Sequence, residues 1–217
     1  MIISKDFSIF ATVIIYNMAE LTIKTFNDKL HNIYIKGEVG EEMWSFLVDK
    51  INEMRSADED VSENNTSALL ALGLLTEAKR PPVNIYLSTY GGSIYDMFAI
   101  YDEIKKLQET YEVNLYCVGK IMSAGTIIML AVDKKHRFAY PSTTFMFHTL
   151  SSFTYGKIKE MEEDIDEAKR LHNLMLKIYK ENTSIPEDKL NDIYKRKKDL
   201  YMTAEQAKKY KIIDKIV

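Results

Sequence analysis

One cysteine in 217 residues excludes an intramolecular disulfide. Cys117 lies inside the apolar run VNLYCV, where a small core residue in a reducing compartment is expected. Long hydrophobic runs are missing too: FSIFATVIIYNMA is apolar over only about a dozen residues, follows Lys5 and Asp6, and is too short for a membrane span. There is no excess of basic charge, since the formal net charge is -3 and the 28% of charged residues mix both signs. Nucleic acid is therefore not an expected partner, and proteins are. No G-x-x-x-x-G-K-[ST] loop occurs, so the chain is not expected to use ATP itself. No histidine and cysteine cluster has ligand spacing, so no metal and no cofactor are expected.

What is present is enough apolar residue, 46%, for one sizeable core, so a single domain over residues 1–217 is expected. Residues 1–30 read as an arm packing on the body or on a neighbouring subunit. A repeat then sets the architecture. NIY at Asn32, NIY at Asn84 and NLY at Asn114 each open a short β-branched and aromatic run, and TTFMF near Thr143 reads as a fourth strand. The last two intervals each hold a strand, a turn and a helix. This predicts an α/β fold, a right-handed spiral of strand-turn-helix units with active groups at the carboxyl ends of parallel strands. The first interval is longer, and its surplus, the polar SADEDVSENNTS, predicts a surface loop over 56–67.

Two turns and one histidine carry the chemistry. In GKIMSAGTIIML, Ser123 stands where a strand end becomes a buried apolar helix, whose first backbone N–H groups have no partner inside the helix. The turn STYGGSIY puts Gly91 and Gly92 where backbone can approach a ligand; a tight turn entering a helix is the simpler explanation of that pair alone. Of the four histidines, His136 sits in the basic turn DKKHRF and reads as solvated, whereas His148 ends the strand TTFMFH one repeat on from Ser123. A serine and a histidine at neighbouring strand ends suit nucleophile and general base. From Gly156 onward, Ile158, Met161, Ile165, Ala168, His172, Met175 and Tyr179 recur at spacings of three and four. That stripe predicts a long helix that packs on a core or on another subunit.

These residues together resemble the ClpP-type serine peptidases, the proteolytic subunits of energy-dependent protease machines, over about Ile33 to Val217. IMSAGTIIM matches the family's nucleophile turn, MFH its histidine strand end, and DLYMTAEQA the stretch that follows its aspartate. The resemblance implies a ClpP/crotonase-like spiral in which Ser123 is the nucleophile, His148 the general base and Asp199 the orienting acid. It implies oxyanion donation by the backbone N–H groups of Gly92 and Ala124, and a protruding handle helix over 157–181. It also implies heptameric rings of this chain stacked as a tetradecamer in the cytoplasm, and a AAA+ unfoldase that spends ATP. The unfoldase's loops would enter an apolar pocket at Tyr86, Phe138 and Tyr140. Unfolded polypeptides would be the substrates. Tyr90 stands where the family has proline before the two glycines, Leu150 where a proline follows the histidine, and Lys198 where an arginine precedes the aspartate. A non-catalytic or conditionally active ring subunit, and a crotonase-type acyl-CoA enzyme on the same architecture, are the alternative readings.

Overall fold

Asn32, Asn84 and Asn114 occupy one rung of a parallel sheet. In the computed structural model, which describes residues 27–71, 80–150, 156–196 and 198–217, strand β1 (Asn32–Val39) pairs with β2 (Val83–Gly92), and β2 with β3 (Val113–Met122). Asn32 faces Asn84, and Asn84 faces Asn114. The carboxamides link across the strands, Asn114 to Asn84 and Asn84 to Asn32, each at 3.2 Å. The third residue of each repeat stacks in the same way. Tyr34, Tyr86, Tyr116 and Phe138 form a ladder of rings with centroids 4.6, 4.9 and 5.0 Å apart. In-register rings on one face of a sheet reward that register, because a one-residue slip would send them all to the other face.

Phe138 shows that the fourth rung is not TTFMF. It is His136-Arg137-Phe138, whose last two residues open β4 (Arg137–Ala139) opposite Leu115–Cys117 of β3, while His136 Nδ1 meets Asn114 Oδ1 at 2.9 Å. His136 therefore ends the asparagine ladder and is not a simple solvated turn residue. TTFMF forms β5 (Thr144–Phe147), which pairs with the later half of β3, Lys120–Met122. The change of partner falls at Gly119, whose φ of +68° few side chains adopt. Beside it the β2–β3 register shifts between Leu87 and Thr89, so β3 bends and its second half is aimed along β5. The sheet order is β1-β2-β3-β4-β7, with β7 (Lys215–Ile216) parallel to β4 and β6 (Leu200–Met202) antiparallel to β5.

The 56–67 loop is a correction. That segment lies within helix α1 (Glu41–Ala71), which holds neither glycine nor proline over its 31 residues. Its buried residues Ile51, Met54, Asp58, Val61 and Asn65 fall at spacings of three and four. Polarity suggested a loop, but the absence of any breaker and the helical period decided the outcome. The other helices are α2 (Ile94–Leu107), the short buried α3 (Ala124–Ile128), α4 (Ile158–Asn182), α5 (Glu187–Arg196) and α6 (Ala204–Lys209). The expected stripe on α4 is buried only in its second half, at Met175 and Tyr179, whereas Ile158 and Ile165 are exposed.

The chain divides into two compact units: Met1–His31 with Ile51–Pro81, and Asn32–Lys50 with Pro82–Val217. The first holds a buried contact of 3.1 Å between His31 Nε2 and Asp58 Oδ1. The second holds every candidate site residue. Residues 1–26, most of the expected arm, lie outside the described residues. Among the described residues no helix is long and apolar enough to cross a membrane.

Candidate active site

Ser123 is the hinge between β3 and α3. Its φ of 52° and ψ of -122° put a non-glycine residue where L side chains are crowded, at a cost of about 1–3 kcal/mol that surrounding bonds must hold in place. They do so from both sides. The Ser123 N–H donates to the Met146 carbonyl at 2.9 Å, and its own carbonyl accepts from the Thr126 N–H at 2.9 Å and the Thr126 hydroxyl at 2.6 Å. A sharp strand-to-helix turn of this kind lifts a hydroxyl out of the backbone. The Ser123 Oγ lies 2.6 Å from His148 Nε2.

His148 reaches that point because β5 runs parallel to the end of β3. Met122 pairs with Met146, so Ser123 and His148 leave neighbouring strands just beyond the last paired rung. Gly91 and Gly92, expected in a turn, are the last two residues of β2, opposite Glu38 and Val39, and they close the third side. A Cβ on Gly91 would lie 2.6 Å from the Ser123 Cβ and 3.0 Å from its Oγ, and Gly91 has a φ of +106°, so both space and backbone require glycine there. Thr89 secures this strand end at its irregularity: its hydroxyl donates to the Gly37 carbonyl at 2.6 Å and accepts from the Gly91 N–H at 2.9 Å. Gly92, Ser123, Ala124 and His148 share the wall of one cleft of about 150 Å³.

The structure thus brings together four of the five expected catalytic groups. Asp199 immediately precedes β6, whose residue Leu200 faces Phe147 across the antiparallel pair. Asp199 is exposed and makes no hydrogen bond to His148. Tyr86 and Phe138 share the aromatic ladder, and Tyr140 lies two residues beyond Phe138, 40% exposed. Burial, then the neighbouring phenols of Tyr34, Tyr116 and Tyr140, push the Tyr86 hydroxyl above its usual range. Sequence reasoning missed Tyr34 and Tyr116, although the repeated third position of NIY and NLY was the available signal. It also missed Thr126 and Tyr179, whose hydroxyls meet at 2.6 Å beneath Ser123.

Comparison with known proteins bears on the family and the fold. The profile of the family described as Clp protease matches residues 36–217. A protein named ATP-dependent Clp protease proteolytic subunit, from Deinococcus radiodurans, is 30% identical over 185 residues, which cover 84% of this chain and 87% of that protein. A ClpP1 mutant from Listeria monocytogenes shares the fold with a TM-score of 0.63 at 24% identity, over 87% of this chain and 92% of that one. From profile, relative and fold together, the chain belongs to the Clp protease family.

Proposed function

We propose that this chain is a serine endopeptidase subunit that cleaves unfolded polypeptides with Ser123, His148 and Asp199. The observation that carries the reading is the 2.6 Å contact between Ser123 Oγ and His148 Nε2 at a strained turn. Neutral His148 takes the Ser123 proton as Oγ attacks a peptide carbonyl carbon, then returns a proton to the leaving amine. Water subsequently hydrolyses the acyl-enzyme by the same exchange. The carbonyl oxygen, negative in the tetrahedral intermediate, sits against the Gly92 and Ala124 N–H groups. Ala124 opens α3, and the amide of a first helical residue has no acceptor within its helix. Gly92 lines the same cleft, where Ser93 N–H turns away to the Val39 carbonyl at 2.7 Å. Ile94, Met97, Leu150 and Met175 give the cleft an apolar side that favours an apolar substrate side chain.

In this reading the catalytic cleft works inside a chamber of heptameric rings in the cytoplasm. The exposed half of α4 around Ile158 and Ile165 meets a second ring, and an ATP-driven unfoldase docks at the aromatic face of Tyr86, Phe138 and Tyr140. The name of the Deinococcus relative, an ATP-dependent proteolytic subunit, supports that partnership. No metal or cofactor enters the chemistry. One observation favours a second reading, a subunit active only under some condition: Asp199 is exposed and does not bond His148. Intact-mass measurement of fluorophosphonate labelling, on the parent, Ser123→Ala and His148→Ala together with the oligomer mass, separates the two. One adduct per chain in the parent, lost in both variants, supports the peptidase. An unlabelled oligomer favours the conditional subunit.

A further inference from the structure

We infer that Tyr179 is a positioning residue for both halves of the catalytic pair, holding the Ser123 carbonyl through the Thr126 hydroxyl and bracing with its ring the end of the strand that leads into His148. The inference rests on the serine peptidase reading for its consequence in catalysis, but not for its geometry. α3 is AGTII, buried throughout, and Thr126 is its only polar side chain. Thr126 is 0% exposed and Tyr179, from the last turns of α4, is 2% exposed. Valine and phenylalanine together would fill these places with nearly the same shape, so the two hydroxyls are not needed to close the core.

Their protons run in one direction. The single hydroxyl proton of Thr126 goes to the Ser123 carbonyl at 2.6 Å, so the Thr126 oxygen accepts from Tyr179 O–H, also at 2.6 Å. Each bond polarises the next, and the chain ends on the backbone of the residue with φ of +52°. The same tyrosine ring meets Phe147 edge-on, centroids 5.5 Å apart at 64°. Phe147 is the residue before His148. One side chain therefore touches the immediate support of the nucleophile and of the base, from a helix whose Met175, one turn earlier, lines the cleft. Removing the Tyr179 hydroxyl frees the Thr126 oxygen to turn, and the Ser123 carbonyl is left with the Thr126 N–H as its only fixed donor of the two. Ser123 then samples positions away from His148. Small displacements of reacting groups are costly to rate, whereas substrate binding is untouched.

The test compares the full-length parent with Tyr179→Phe, Thr126→Val and Thr126→Ser in three readouts: fluorophosphonate labelling rate at Ser123, peptide kcat and KM, and hydrogen exchange of amides 121–128 by mass spectrometry. Tyr179→Phe and Thr126→Val are expected to lower labelling and kcat about tenfold with KM unchanged, and to speed exchange several-fold. Thr126→Ser, which keeps the hydroxyl, is expected to match the parent. A purely packing role predicts a lower Tm with unchanged kcat, and that result overturns the inference. So does a Thr126→Ser protein that behaves like Thr126→Val. A parent that is never labelled, yet shows the expected exchange pattern, removes the peptidase reading and leaves the brace standing. A labelled parent whose rate and exchange are unmoved by Tyr179→Phe removes the brace and leaves the peptidase.

Discussion

Phe147 and Leu200 oppose each other on the last rung of the antiparallel β5–β6 pair. One step further out, His148 and Asp199 are the next facing positions, although Asp199 remains exposed and unbonded to the ring. Opposed residues of such a pair have Cβ atoms about 5 Å apart, within reach of a carboxylate-to-imidazole bond after a small side-chain or strand-end adjustment. Asp199→Asn is expected to lower kcat on a peptide substrate by about ten-thousand-fold, since an amide favours the wrong imidazole tautomer. Steady-state kinetics on the assembled oligomer checks it. A loss below about tenfold would mean that Asp199 stays outside the reaction.

Tyr90 takes the place of a proline ahead of the two glycines, and its ring lies under the Lys120 ammonium, 4.1 Å from the centroid. Lys120 is three residues before Ser123, so this cross-strand contact holds the Gly91–Gly92 end of β2 to β3 in place of the stiffness a proline ring gives. An exposed contact of this kind is worth about 0.5–1 kcal/mol. Tyr90→Ala and Lys120→Met are each expected to lower kcat/KM by roughly threefold, with Tyr90→Phe close to the parent. Tyr90→Pro is expected to recover what Tyr90→Ala loses. Peptide kinetics of the four variants decides; if Tyr90→Phe falls as far as Tyr90→Ala, the ring is not the element that matters.

Ser123 and His148 were legible because a hydroxyl interrupts an apolar run and histidines are few. The first three strands were legible because Asn32, Asn84 and Asn114 repeat at the start of each, and the structure puts them on one rung. The fourth rung escaped because His136-Arg137-Phe138 keeps only the hydrogen-bonding and aromatic character of Asn-Ile-Tyr, and its residues look like a charged turn. Its strand state comes from pairing with β3, which is tertiary. Residues 56–67 have the polar composition of a loop, but no glycine or proline breaks the helix that runs through them. The positive φ of Ser123 is held in part by the Met146 carbonyl on another strand, and the relay joins Thr126 to Tyr179 across 53 residues, so no local pattern announces either.

Arg137 is 1% exposed and spends its guanidinium on backbone ends. Its Nε donates to the Val132 carbonyl at 2.7 Å, and its two terminal nitrogens donate to the Asn182 carbonyl at 3.0 Å and side chain at 3.3 Å. This caps the carboxyl end of α4, three residues after Tyr179. Arg137→Met leaves the buried Val132 carbonyl and the half-buried Asn182 acceptors without this donor, at a cost of roughly 3 kcal/mol. The expected Tm is about 10 °C lower. Calorimetry measures it, and a shift under about 2 °C would show that the acceptors find water or other donors.

Cys117 lies in β3 two rungs below the bend, fully buried, and its backbone carbonyl accepts from the Thr143 hydroxyl at 2.9 Å. Burial pushes its thiol far above the ordinary range, with partial relief from the Arg137 guanidinium. The thiolate is the reactive form, so the native thiol is inert. The sign for stability follows. Above about pH 9, the ordinary thiol value, the unfolded chain releases this proton and the folded one keeps it, so stability falls as pH rises through that range. Iodoacetamide at pH 8.5 is expected to leave the native oligomer unmodified and to alkylate Cys117 fully in denaturant. Cys117→Ala is expected to flatten the alkaline part of the stability curve while being less stable at pH 7 from the space it leaves. Rapid native alkylation would mean that β3 opens locally, and the same opening would then have to appear in hydrogen exchange around Ser123.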